Sequence, residues 1–140
     1  MFRRDISRAH WECIHFGGSG DAATFRELSL TSGLLLGEAS LAGVSDSRGF
    51  IGRVAQALPF PVTFWASWDG LSDGLCDLRN RVDQRGLALV LSEARGWWSA
   101  DPEGTGIFIA SWLNAARQWG GDMREDLDRP GRPFHLFVEW

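Results

Sequence analysis

The sequence predicts an α/β fold: a small three-stranded parallel sheet packed with helices. Three observations carry this expectation. Leu34-Leu35-Leu36, Leu87–Leu91 and Phe134–Trp140 are short apolar runs of the kind that form buried strands. The segments between them repeat apolar residues at helical spacing. Strands separated by helices become parallel neighbours, because a crossover returns the chain to the same end of the sheet.

Before the first of these runs, Trp11–Phe16 alternates loosely and reads as a strand, followed by the turn-rich stretch Gly17-Gly18-Ser19-Gly20-Asp21. Thr24–Leu30 carries Phe25, Leu28 and Leu30, a spacing that leaves strand and short helix both open. Residues 1–33 are read as an N-terminal extension that adds a hairpin to a sheet edge, and residues 34–140 as the main domain. After Leu36, Ser45 or Asp46 can cap a helix in which Phe50, Ile51, Val54, Ala55 and Leu58 recur on one side. That helix stops before Pro59, because proline disfavours helical geometry in the residue preceding it. A second helix is expected over Ser67 to about Arg81. Asp101–Gly106, with one proline and two glycines, reads as a loop. A third helix fits Thr105–Trp119, with Ile109, Trp112, Leu113 and Ala116 on one face and a glycine stop at Gly120-Gly121.

Composition narrows the function. A chain of 140 residues suits a single domain. Its 14 basic side chains are all arginine, and with 18 acids the formal net charge is −4. That balance disfavours a nucleic-acid binder, which needs a basic face, and permits attraction to a basic protein. Cys13 and Cys76 form no Cys-x-x-Cys motif and no disulfide framework. Met1–His10 has three arginines but no apolar run after them, as a signal peptide would, and no stretch is long and apolar enough to span a membrane. A cytoplasmic protein with no membrane contact is the expectation. His10, His15 and His135 lack metal-ligand spacing, Phe16–Asp21 matches neither a P-loop nor a dinucleotide fingerprint, and Ser92 and Ser111 lack a nucleophile motif. No cofactor, metal or catalytic residue is expected.

The second helix carries the most information. Trp68, Leu71, Leu75, Leu78 and Val82 cluster along one edge at about 100° per residue. Asp69, Asp73 and Asp77 fall on the opposite edge at i, i+4 and i+8, so one side is buried and the other presents carboxylates. Ser67 is placed to cap the first turn. Asp69 is favoured by the positive end of the helix dipole, whereas like charges four residues apart repel by a few tenths of a kcal/mol. Gly70 and Gly74 each cost about 1 kcal/mol of helix propensity. Gly70 flanks the stripe, where it gives a partner room to approach the backbone. Taken alone, such a stripe is an ordinary solvated face.

A resemblance changes its weight. Phe60-Pro-Val-Thr-Phe-Trp-Ala-Ser-Trp-Asp-Gly-Leu-Ser-Asp-Gly-Leu75 resembles the barstar-family segment F-P-x-Y-F-G-x-N-W-D-A-L-x-D-C-L. Leu34–Val44, Ser45–Leu58, Leu89–Trp97, Thr105–Trp119 and Phe134–Trp140 are similar to the family's flanking strands and helices. The resemblance implies a proteinaceous inhibitor of a ribonuclease, an immunity-type protein that plugs the nuclease active site with an acidic helix and the loop before it. It implies a basic secreted ribonuclease or related toxin as partner. Asp69 and Asp73 match the family's two inhibitory aspartates, with Asp73 the deeper. Asp77, Thr63, Trp65, Ser67 and Gly70 complete the expected contact surface. The chain departs from the pattern at Thr63, where the family has Tyr, at Trp65, where it has Gly, and at Ser67, where it has Asn. An acid carried by some members on the third helix falls at Ala115. Trp65 fits equally as an interface anchor or as core.

Two other classes remain open at this level. One is a barstar-like immunity or regulatory binding module for a target that is not a ribonuclease. The other is a small hydrolase using Asp69 and Asp73 as paired carboxylates. The convex helix face expected for the pair speaks against catalysis, and a pocket beside Asp69 would favour it.

Overall fold

The computed structural model describes residues 2–121 and 131–140. Four parallel strands form its sheet: β1 (Ile14–Gly17), β2 (Leu34–Ser40), β3 (Gly86–Ser92) and β4 (Phe134–Glu139), in the order β1-β4-β3-β2. The helices are α1 (Ser19–Thr31), α2 (Ser47–Ala57), α3 (Trp68–Asp77), α4 (Arg95–Ala100) and α5 (Pro102–Trp119), and α3 runs into a 3-10 turn at Leu78–Asn80.

The parallel α/β class holds, with a fourth strand that the sequence reading placed in a hairpin. Residues 14–31 form a strand and a helix instead. β1 pairs in parallel with β4, from Ile14 opposite Leu136 to Gly17 opposite Glu139, and α1 crosses beneath all four strands to reach β2 at the far edge. The glycine-rich stretch is the junction between β1 and α1. Ala22, Phe25 and Ser29 form the buried face of α1, while Leu30 is 64% exposed. Ala22 and Ser29 on either side of Phe25 on the inner face, and a leucine on the outer one, hid the helical period. Ser29 fits because its Oγ donates to the Phe25 carbonyl, 2.8 Å away.

Period-2 alternation sorts the strand side chains between two cores. Leu87, Leu89, Leu91, Phe134, Leu136 and Val138 face the layer of α2, α3, α4 and α5. Phe50 of α2 stacks on Trp97 of α4 at 3.9 Å in the middle of that core. On the opposite face Ala88, Val90 and Phe137 meet α1 and the N-terminal segment through Phe25 and Ile6. His15 and His135 are buried on this second face, ring nitrogens 3.0 Å apart. His135 Nε2 donates to the Arg8 carbonyl at 2.9 Å, which leaves its Nδ1 as acceptor for the Nε2–H of His15. Burial pushes both imidazoles down, His15 to about 4.

The expected loop at Asp101–Gly106 is the start of α5. Asp101 accepts from the Gly104 amide at 3.0 Å and from Ser47 Oγ at 2.7 Å, and Pro102 takes the first helical position, where its missing N–H costs nothing. Six-residue α4 went unread because it buries only Trp97. No described helix is long and apolar enough to cross a membrane.

Candidate functional site: an acidic groove

Within its helix layer α3 packs mainly on α5 and more lightly on α2. Ser67 caps it, its Oγ accepting from the Gly70 amide at 2.9 Å. Leu71, Leu75 and Leu78 are buried without residue, and Trp68 is half-buried against Phe50. The far end is held from behind. Trp119 of α5 donates its indole N–H to the Leu75 carbonyl at 2.9 Å. Arg132 donates to the carbonyls of Arg79, Val82 and Gln84 at 2.6–2.7 Å, with its guanidinium over the Trp119 ring. These carbonyls lie just past α3, where helices leave acceptors unpaired.

With its inner side fixed, α3 turns Asp69, Asp73 and Asp77 to solvent, all three exposed. Asp77 accepts from Arg81 Nε at 2.8 Å and from Asn80 Nδ2 at 3.4 Å, and the Arg81 bond holds its carboxyl below the usual carboxylate range. Asp69 and Asp73 have no ion pair among the described residues.

The convex face expected for these acids is one wall of a groove. The loop from Phe60 to Ala66 folds back along α3, turning where Phe64 N–H bonds the Pro61 carbonyl at 2.9 Å. Loop and helix together bound a groove of about 560 Å³ lined by all three aspartates, by Thr63, Trp65, Ser67 and Gly70, and by Pro61, Phe64 and Gly74. The seven residues singled out from the sequence therefore share one concavity.

Both helix glycines exist for this loop. A Cβ on Gly70 would collide with the Trp65 carbonyl, which also accepts from the Ser67 amide at 2.9 Å. A Cβ on Gly74 would fall 2.9 Å from the Phe60 ring, which stacks on Phe64 at 4.4 Å. The backbone that approaches Gly70 is thus the chain's own. The Phe60–Phe64 stack and Gly74 escaped the sequence reading, although two phenylalanines four apart beside a helical glycine are its visible trace.

Trp65 is not core. Its side chain stands at the groove edge, 78% exposed, beside fully exposed Val62. The groove is an acceptor surface: carboxylates and hydroxyls over an aromatic floor, with no cation, histidine or thiol among the described residues that line it. Cys76, half-buried on the α5 side, accepts a bond from Asn114 at 3.7 Å, and both it and buried Cys13 are free thiols. No group of three or more metal-ligating side chains occurs among the described residues.

The family model for barstar, described as the barnase inhibitor, matches residues 36–139. No curated protein and no solved structure matched significantly. The matched span runs from β2 to the end of β4 and includes the whole acidic groove, so the chain belongs to the barstar family.

Proposed function

We propose that this protein inhibits a secreted ribonuclease by seating α3 and the loop before it in the nuclease active site, protecting the cytoplasm of the producing cell. One observation carries the reading: Asp69 and Asp73, without an ion pair among the described residues, line a rigidly backed groove rimmed by an exposed tryptophan. A ribonuclease site aims arginine, lysine and histidine at phosphate oxygens, and a carboxylate on a fixed helix accepts the same charge-assisted bonds. Rigid presentation lowers the ordering cost of association. A barstar-type immunity module for another basic toxin uses the same surface and differs only in the target.

The groove's concavity favours a second reading, a hydrolase with Asp69 and Asp73 as catalytic pair. Its chemistry supports it less. Both carboxylates are open to solvent, whereas a carboxyl that donates a proton near neutral pH is normally desolvated.

The test titrates the purified chain into basic secreted ribonucleases, barnase among them, with cleavage of a fluorogenic RNA as the readout. Stoichiometric inhibition, lost in the Asp69→Ala/Asp73→Ala double variant, is the expected result. Inhibition that survives the double variant would place the contact surface elsewhere. Substrate turnover by the chain alone, lost in the same variant, would establish the hydrolase.

A further inference from the structure

Residues 2–12 lie on the α1 side of the sheet and lead into β1, where the Cys13 carbonyl accepts from Leu136 at 2.8 Å. Ile6 is 2% exposed there, in the core of Phe25, Val90 and Phe137. Phe2 packs edge to face with His15, Phe25 and Phe137, ring centroids 5.0, 5.6 and 5.9 Å away. Charged side chains of this segment engage one another: Arg4 pairs with Glu12 at 2.5 Å, and Asp5 accepts from Ser7 and faces Arg8. The middle of the segment is tied to the sheet by His135, which donates to the Arg8 carbonyl.

That tie ends a chain of protons with room for one more. A carbonyl only accepts, so His135 Nε2 carries a hydrogen and its Nδ1 lone pair is filled by His15 Nε2–H. His15 Nδ1 has no hydrogen bond among the described residues, and His15 lines a groove of about 780 Å³ beside β1. A first added proton enters at that nitrogen and breaks nothing. A second has only His135 Nδ1 to take, where it meets His15 Nε2–H with 3.0 Å between the nitrogens. Two imidazolium ions then stand side by side out of water. Neighbouring charges give them little support. Arg4 and His10 oppose a charge on His15, and His10 opposes one on His135, with Asp5 in its favour. Glu12 is engaged by Arg4, Asp21 of α1 stands on the groove rim, and Arg26 of α1 turns to Glu38 and Glu139. β3 brings only Ala88 and Val90 to this core.

We infer that residues 2–12 are an acid-released strap: double protonation of the His15–His135 pair frees them from the sheet while the rest of the fold stays closed. With the strap open both rings reach water and charge freely near pH 6.5, so the open form takes up more protons and acid favours it. The remainder is held separately. β4 keeps β1 and β3 as neighbours, and the core under α2, α3, α4 and α5 lies on the other face of the sheet. Release therefore uncovers Phe25 and Phe137 and leaves the acidic groove in place. Such partial opening is the expected behaviour of a segment whose contacts are few and confined to one face.

The experiment is methyl NMR on the full chain labelled at isoleucine, titrated from about pH 7.5 to about pH 4, the range in which histidine charges. Ile6 reports the strap, and Ile51 reports the core on the other face. As pH falls, the Ile6 methyl should leave its ring-shifted position for that of an unfolded chain, with Ile51 unmoved. His15→Asn should keep the strap closed over the same range. Its amide donates to His135 Nδ1, and turns its oxygen there to accept once that nitrogen is protonated. Phe2→Ala keeps both histidines and loosens the strap, so it should open about half a pH unit or more above the native chain. An Ile6 signal that holds to the acid end in the native chain would overturn the strap. So would Ile51 moving together with Ile6, or an opening pH unchanged in both folded variants.

Discussion

At Gly70 two effects oppose each other. Alanine there should raise helix propensity by about 1 kcal/mol, yet its methyl group would overlap the Trp65 carbonyl. Overpacking against backbone costs about 1–3 kcal/mol because backbone cannot rotate aside. Gly70→Ala should therefore lower stability in urea melts by about 1 kcal/mol net, with altered fluorescence as Trp65 shifts. Among the aspartates the ranking follows from their partners. Asp73 lies one turn inside the helix, fixed in direction and without an ion pair among the described residues. Asp73→Ala should weaken binding to an inhibited ribonuclease by at least ~2 kcal/mol, with the melt nearly unchanged. Asp69→Ala should cost less. Asp77→Ala should cost least, because its carboxylate is already engaged by Arg81 and Asn80. Isothermal titration of the three variants checks the order, and a larger loss at Asp77 than at Asp73 would contradict it.

Helix α3 owes its position to groups outside it. Arg132 binds three carbonyls beyond its C-terminal end and stacks on Trp119, which in turn holds Leu75. Arg132→Met should cost about 2–4 kcal/mol, since three acceptors lose a charged donor at once. Hydrogen exchange should speed up most in residues 75–82. Lysine should restore little, because a single ammonium lacks the planar fork that reaches several carbonyls together. None of this was visible in the sequence, where Arg132 is one arginine among 14. What could be read was whatever depends on local order. The Ser67 cap, the apolar edge from Leu71 to Val82 and the acid stripe all follow from spacing along one helix. The groove did not, because it needs the loop to fold back, a tertiary event marked only by two glycines and two phenylalanines. α1 was obscure for another reason: its inner face has one large apolar residue, Phe25, between Ala22 and Ser29, too few to set a helical period.

At the scale of the whole molecule, acid should act through the second core. His15 is held near 4 in the fold against about 6.5 in an unfolded chain, so the unfolded state binds more protons between these values. The pair's contribution is complete above pH 6.5 and lost as pH falls toward 4, amounting to about 3 kcal/mol for His15. His135 shifts in the same direction and adds to the loss. Below that window Asp77 and Asp101, both held below their ordinary values, add a further decline. Urea midpoints measured from pH 7 to 4.5 should fall, and His15→Asn should flatten the slope. A midpoint independent of pH over this range would show that the pair is not buried in solution. The strand order has a consequence of another kind, for biosynthesis. Among the described elements β1 is made first, and its strand neighbour β4 is made last. While the ribosome is still translating, Ile14 has no Leu136 to pair with, and the Arg8 carbonyl has no His135 to bind. The nascent chain must keep β1 unpaired while the elements between it and β4 are made, and the sheet can close only once β4 has left the exit tunnel.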